Sequence, residues 1–449
     1  MRHAPALLCT LALAGLAAAQ TVSDPQALLT RGPLKPDGSA APWAHAGLLV
    51  QDAATGETLF AWHDNESFTP ASNMKVLTTA AALYALGPAH TFQTRALGPQ
   101  PTGGRVARLT LVGSGDPMLT EKGAGDSLEA LAKAVAASGV REVTELRVDD
   151  SALNWPRWAS GWMWDDTEFP IGALHLDGDG APYGELVLGE DELKAGQQPN
   201  PLLITDASVL PLEVGTRFQA LLLAAGVQTT GAPKLARAES GDTALAQVSS
   251  EPLADILRDT NKESVNIHAE QLLAALGVGE GGTPGTPDRS AAAITAFLKT
   301  VGYTGPDPRL RDGSGLSRYN LVTPQLLAAV LRYAYLNPRA ADGSAPTPQA
   351  AFDGHANAFI ESLPVAGTGT ATPADAARGG TLAKRLVGSG LDLRAKTGSM
   401  TGVASVSGYL KAGSGRLLTF SLLMDNYPGP LSDLTRWQDE VLKALAARY

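Results

Sequence analysis

The sequence predicts an α+β fold, an antiparallel sheet flanked by helices and interrupted by a large inserted domain. Three observations predict it. Residues 46–50 and 57–62 are strand-like runs on either side of a turn at 52–56, which makes an N-terminal hairpin. Residues 404–410 and 417–424 read as two further strands, followed by an amphipathic helix over 432–447. The interval between Lys75 and Ser264 is too long for a loop and carries elements of its own.

Composition sets the frame. The chain has 449 residues, 44% hydrophobic and 18% charged, which suits a globular protein of two or three domains. A net charge of −10 without any basic run excludes a nucleic-acid surface. Arg2, the apolar run from Ala4 to Leu16 and the small residues Ala17, Ala18 and Ala19 read as a secretory signal over 1–19. The only cysteine, Cys9, lies inside it, so disulfides and cysteine-held metals are not expected in the mature chain. Export places the protein in a bacterial envelope, periplasmic or otherwise; peripheral contact with a membrane is left open.

After the hairpin, Pro70 and Ser72 stand before an apolar run and signal a helix that continues to about Gly87. The inserted domain is assigned to 96–247, with a nested module, between the two parts of the first domain at 20–95 and 248–449. Within it, 106–112, 143–148 and 185–188 read as strands and 127–138 as an alanine-rich helix. Helices are then expected over 252–258 and 265–276. Residues 277–287 form a glycine/proline loop whose prolines are read as blocking a helix start, so that the next helix begins at 290. Further helices are expected at 290–301 and 323–336, and a strand at 391–395 leads into Lys396.

The chemistry sits in three short motifs. Ser72 and Lys75 are three apart, on one helix face, where an amine of lowered pKa can take the serine proton. Ser264-Val265-Asn266 and Lys396-Thr397-Gly398 follow in that order. S-x-x-K, a Ser-x-Asn triplet and K-T-G in this order form the signature of penicillin-binding proteins and class A β-lactamases. Seven scattered histidines give no metal-ligand spacing, so neither a metal nor another cofactor is expected.

With these motifs the chain resembles the low-molecular-mass class C penicillin-binding proteins, the D-alanyl-D-alanine carboxypeptidase/endopeptidases of peptidase family S13. The resemblance extends to Gly113-Ser114-Gly115-Asp116-Pro117, Gly161-Trp162-Met163-Trp164-Asp165-Asp166 and Asp312-Gly313-Ser314-Gly315-Leu316-Ser317-Arg318. It continues in Ser362-Leu363-Pro364-Val365-Ala366-Gly367 and in the long insertion itself. The chain departs from the family pattern in having Val265 as the middle residue of its second motif. It also has a longer stretch around Gly367-Thr368-Gly369-Thr370 and Gly380-Thr381-Leu382, which would alter a rim loop.

The resemblance implies a penicillin-binding-protein/serine β-lactamase-like transpeptidase core and an acyl transfer on peptidoglycan stem peptides. Ser72 would attack the carbonyl between two D-alanines, with Lys75 as base. Ser264 would relay a proton to the leaving amine, and Asn266 would orient Lys75 and the substrate. Lys396 would supply positive potential, and Thr397 with Ser399 would bind the terminal carboxylate. Gly398 lets the strand lie close to the substrate, and the N–H groups of Ser72 and Ser399 would form the oxyanion hole. Met400, Trp162, Asp165 and Arg318 are the expected lining residues, each of which also has an ordinary structural reading. Glu270 is read as structural rather than as a deacylating base. β-Lactams would be covalent inhibitors. A β-lactamase or esterase on the same core predicts fast penicillin turnover, and a non-catalytic envelope binding protein predicts a broken motif.

Overall fold

The computed structural model describes residues 24–163, 170–177 and 209–449. The signal segment expected at 1–19, Asp165 and the strand expected at 185–188 lie outside the described residues.

Helix α1 (Pro25–Arg31) precedes the hairpin of β1 (His45–Asp52) and β2 (Thr58–Trp62). Next comes α2 (Met74–Leu86), then β3 (Gln93–Gly98), β4 (Arg105–Val112), α3 (Leu128–Ala137) and β5 (Glu142–Asp149). From residue 209 onward follow α4 (Val209–Ala224), β6 (Gln228–Thr229), β7 (Lys234–Leu235) and β8 (Thr243–Ser249). Helices α5 (Leu253–Lys262), α6 (Asn266–Ala275), α7 (Pro287–Val301) and α8 (Pro324–Leu336) return to the first sheet. Three short helices, α9 (Pro348–Asp353), α10 (Ala358–Ser362) and α11 (Pro373–Gly379), lead to β9 (Leu393–Met400), β10 (Val403–Lys411), β11 (Leu417–Asp425) and α12 (Leu431–Arg448).

The first sheet has the order β2-β1-β11-β10-β9 and is antiparallel throughout. Its register pairs residues 45–52 with 418–425, so the two ends of the chain build its centre. Each face carries its own core. Leu77, Leu83, Leu257, Leu272 and Leu331 pack helices α2, α5, α6 and α8 on one side, while Leu28, Trp437, Val441 and Leu445 pack α1 and α12 on the other. Helix α2 is buried from Met74 to Leu83 without a break, which explains why its sequence is apolar all round.

The insertion forms a second sheet, β6-β5-β4-β3-β8, with β7 also on β5. Strands β4 and β5 are parallel and joined through α3, whereas β3 runs antiparallel to both β4 and β8. Leu131 and Val135 of α3 meet Val214, Phe218 and Leu222 of α4 in its core. Strands β3 and β8 carry the chain in and out, and the limits 96 and 247 expected from the sequence cut through both of them. These strands were hidden because the buried positions of β3 are Thr94, Ala96 and Gly98, none of them strongly apolar, and β8 has no fully buried residue.

One helix start differs for a clear reason. Helix α7 begins at Pro287, not at 290, because proline at the first helical position loses no hydrogen bond and Thr286 caps the helix by accepting from Arg289 N. The prolines therefore start this helix rather than block it.

Candidate active site

The nucleophile turn comes first. Residues Ala71–Asn73 form a single 3₁₀ turn, and the α-helix starts only at Met74. The 3₁₀ geometry still stacks Ser72 one turn from Lys75, since i and i+3 eclipse. Ala71 carries a φ of 47°, a left-handed conformation costly for a residue with a Cβ. Surrounding contacts enforce it. Asn73 Nδ2 donates to Lys396 O at 3.1 Å and to Ser405 Oγ at 2.8 Å, and Ser405 Oγ donates to Pro70 O at 2.5 Å. The turn is thereby fastened to β9 and β10 while Ser72 stays half-buried and reachable.

Lys75 is fully buried. Its Nζ lies 3.2 Å from Ser72 Oγ and donates to Asn266 Oδ1 at 2.7 Å and to Ser314 O at 2.9 Å. Two acceptors fix the amine so that it points at the serine. Asn266 is the first residue of α6, and Ser264 sits in the short link between α5 and α6 with a φ of 62°. This second left-handed residue turns the chain so that both side chains of the motif reach the cleft. Lys396 Nζ donates to Ser264 Oγ at 2.9 Å and to Thr397 O at 2.8 Å. Burial, and then the charge of Lys75, push the Lys396 amine well below the ordinary lysine range. A buried amine beside a second lysine holds its proton loosely.

The third wall is the edge of the sheet. Along the first half of β9, Ala395 N donates to Pro364 O at 2.9 Å and Ala366 N to Leu393 O at 3.0 Å. Farther along, β9 ends the strand order and Ser399 is exposed, so an extended chain can pair there. Gly398 lies against the nucleophile turn. A Cβ on it would stand 2.8 Å from both Ser72 N and Pro70 O, and 2.3 Å from Ser405 Oγ. Only glycine allows β9 to approach this closely.

This constellation finds its counterpart in known proteins. The D-Ala-D-Ala carboxypeptidase 3 (S13) family profile matches residues 37–179 and 197–446. The chain belongs to this family. It is 33% identical to a D-alanyl-D-alanine carboxypeptidase of Actinomadura sp. (strain R39), over 86% of this chain and 79% of that one. It is 24% identical to the D-alanyl-D-alanine carboxypeptidase DacB of Haemophilus influenzae, over 89% and 88% of the two chains. The solved structure of penicillin binding protein 4 from Haemophilus influenzae superposes with a TM-score of 0.72 at 21% identity, covering 94% of this chain and 99% of that one. As an S13 member the protein is a serine-type, penicillin-binding DD-peptidase with the α+β core of that structure.

The outlying residues divide. Arg318 is exposed and donates to Thr401 O at 3.0 Å, bridging its loop to the end of β9 at the rim. Met400 is half-buried at the same end of β9. Trp162 is 9% exposed, and its indole N–H donates to Asp312 Oδ2 at 3.0 Å, so its polar edge is spent inside the protein. Among the described residues, no group of three or more His, Cys, Asp or Glu could hold a metal ion.

Several residues packed around the site carried no catalytic role in the sequence. The 312–317 loop holds Lys75 through Ser314 O, and Asp312 organises it by accepting from Gly315 N at 2.8 Å, Ser317 N at 2.5 Å and Asn320 Nδ2 at 2.6 Å. Glu270 is fully buried and receives Gly313 N and Ser314 N. Burial and the charge of Asp312 push its carboxyl up to about 8. It supports the loop rather than facing Ser72. Thr381, in the rim stretch at 367–382, lies 2.7 Å from Thr397, hydroxyl to hydroxyl.

Proposed function

We propose that the chain hydrolyses the D-Ala–D-Ala bond of peptidoglycan stem peptides, and D-Ala cross-links, through an acyl-enzyme on Ser72. The observation that carries this reading is Lys75 Nζ, 3.2 Å from Ser72 Oγ and fixed by Asn266 and Ser314. Such a pair meets the requirement for an activated nucleophile, a hydroxyl within reach of a held base.

The steps follow from the positions. Unprotonated Lys75 takes the Ser72 proton as Oγ attacks the substrate carbonyl. The N–H groups of Ser72 and Ser399 receive the oxyanion. The amide C–N bond then breaks, and the leaving nitrogen gains a proton through Ser264, whose hydroxyl is held by Lys396. Thr397 and Ser399 bind the carboxylate of the departing residue, with Lys396 supplying positive charge behind them. Water attacks the Ser72 ester by the same route in reverse and releases the shortened peptide. A β-lactam carries a strained amide into the same position and acylates Ser72; a Haemophilus influenzae penicillin binding protein 4 structure of this fold is complexed with a β-lactam. The substrate places the protein in the cell envelope of a bacterium, where export through the signal at 1–19 would deliver it.

The test is the intact mass of the mature protein after benzylpenicillin, followed over time with Ser72→Ala as control. A long-lived adduct on the wild type alone is the expected result. Fast penicillin loss without an adduct would turn the assignment toward a β-lactamase. No adduct and no loss would end the acyl-enzyme reading.

A further inference from the structure

A groove opens directly beside the place where the leaving group departs. It has a volume of about 490 Å³ and is bounded by Glu263, Ala376, Ala377, Gly380, Thr381 and Lys384. Two of these residues touch the catalytic motifs. Glu263 immediately precedes Ser264, and Thr381 Oγ1 is 2.7 Å from Thr397 Oγ1. The groove therefore starts at the proton relay and the carboxylate-binding threonine and runs outward from them.

Its walls are built. Gly380, at a φ of +50°, lies so close to the end of α5 that a Cβ would stand 2.4 Å from Lys262 O. Lys262, 7% exposed, fastens both sides of the rim by donating to Leu363 O at 2.8 Å and to Arg378 O at 2.9 Å. A nearly buried lysine that donates to two backbone carbonyls is a structural clamp. The rim stretch at 367–382 is thus anchored against α5.

The lining has one chemistry at its centre and another at its ends. Alanine and glycine give a smooth, shallow wall, which accommodates a peptide backbone and excludes little. Thr381 offers a hydroxyl near the catalytic end. Glu263 and Lys384 supply one carboxylate and one amine, both exposed, and neither enters an ion pair among the described residues. A single departing D-alanine needs none of this, because Thr397 and Ser399 already meet its carboxylate. A leaving group that is itself a peptide, with a free carboxylate and a free amine, matches the groove's one amine and one carboxylate in charge.

We propose that this groove is the subsite for the leaving-group peptide of a cross-linked stem-peptide dimer, with Lys384 and Glu263 as its specificity-determining residues. The inference rests on the Ser72 acyl-enzyme reading and deepens it, since occupancy of the groove separates cross-link cleavage from removal of a terminal D-alanine. Binding energy from this remote part of the substrate is what an endopeptidase can use and a carboxypeptidase cannot.

The experiment compares three reactions of the mature enzyme: D-alanine release from a pentapeptide, cleavage of a purified cross-linked muropeptide dimer, and acylation by benzylpenicillin. Two variants are compared with the wild type. Ala377→Trp fills the groove from an exposed helix position, and Lys384→Glu reverses its one amine. The expected result is that the ratio of dimer cleavage to pentapeptide hydrolysis, each as kcat/KM, falls about ten-fold in both variants. Penicillin acylation, whose ring carboxylate reaches Thr397 and Ser399 and needs no occupant in the groove beyond them, reports that each variant is folded, and Lys384→Glu stands should the tryptophan disturb α11. An unchanged ratio in both variants would overturn the subsite, and so would a wild type that hydrolyses pentapeptide but never the dimer. A wild type with neither adduct nor D-alanine release would overturn the acyl-enzyme reading itself, and the subsite with it.

Discussion

Glu270 receives the backbone N–H of Ser314 at 2.8 Å, and the carbonyl of that same residue receives Lys75 Nζ at 2.9 Å. A buried carboxyl therefore holds one side of Ser314, the residue whose carbonyl receives Lys75, while Asp312 holds the other through Gly315 N. Both of its oxygens are engaged, since Gly313 N also donates to it at 3.0–3.1 Å. Glu270 is a positioning residue: it touches neither Ser72 nor the place of the substrate.

Glu270→Ala should loosen the 313–314 peptide, let Ser314 and its carbonyl shift, and so let Lys75 drift from Ser72. Misplacement of a catalytic group by about 1 Å costs on the order of 10²-fold in rate. We expect kcat for D-alanine release and the benzylpenicillin acylation rate to fall together, with KM little changed. Glu270→Gln, which keeps one acceptor oxygen, should recover part of the loss. A stable Glu270→Ala enzyme with wild-type acylation would show that Ser314 needs no such support.

The same carboxyl predicts a pH dependence of stability. Burial and Asp312 raise Glu270 to about 8 in the fold, whereas the unfolded chain titrates near the ordinary 4.5. The folded state thus binds more protons across that interval, and stability must fall as pH rises from about 4.5 to about 8. Asp116, raised to about 8 by burial and by Asp126, acts with the same sign. Denaturant midpoints measured at pH 5, 6.5 and 8 should decline, and Glu270→Gln should remove only its own share of the slope. A slope identical in wild type and variant would mean that Glu270 titrates alike in both states.

Gly398→Ala tests the contact between β9 and the nucleophile. Its Cβ would meet Ser72 N and Pro70 O at 2.8 Å and Ser405 Oγ at 2.3 Å. The Ser72 and Pro70 contacts are backbone, so no flexible side-chain end can absorb them. Overpacking of this kind costs about 1–3 kcal/mol. Because the displaced atoms belong to the nucleophile turn, acylation should fall far more than stability does. Near-normal penicillin labelling in the variant would show that the turn has room to retreat.

How much of this was written in the sequence can be judged residue by residue. The hairpin and the C-terminal strands were legible as short apolar runs bounded by turns, β10 and β11 being buried on both faces, and α12 by its amphipathic period. That Ser72, Lys75, Ser264, Asn266 and Lys396 come together was legible because the three motifs are fixed residue types at short spacing. Glu270 was read as structural, but the residues it holds were not legible, nor were the roles of Asp312 and Thr381, since a carboxyl that receives backbone N–H groups leaves no periodic trace. Helices α9, α10 and α11 are only five to seven residues long, too short to establish a 3.6-residue pattern. Ala71 and Ser264 break the local rule that such residues avoid positive φ. Tertiary contacts impose that conformation, and both residues lie at the reaction centre.

Trp162 separates two roles that the sequence left equal. A residue reaching for the substrate should keep a polar edge free, but the Trp162 N–H is given to Asp312 Oδ2 at 3.0 Å and only 9% of the residue is exposed. Asp312 in turn holds Gly315 N and Ser317 N, so the tryptophan ties the inserted segment to the loop that aims Lys75. Trp162→Phe keeps most of the packing and deletes that one donor. Leaving a buried carboxylate short of a partner costs about 1–3 kcal/mol. The variant should lose stability by that amount, and its rates with pentapeptide and with benzylpenicillin should fall in parallel, because the loop serves both. A rise in KM for the stem peptide alone, at unchanged stability and unchanged penicillin acylation, would instead place Trp162 on the substrate.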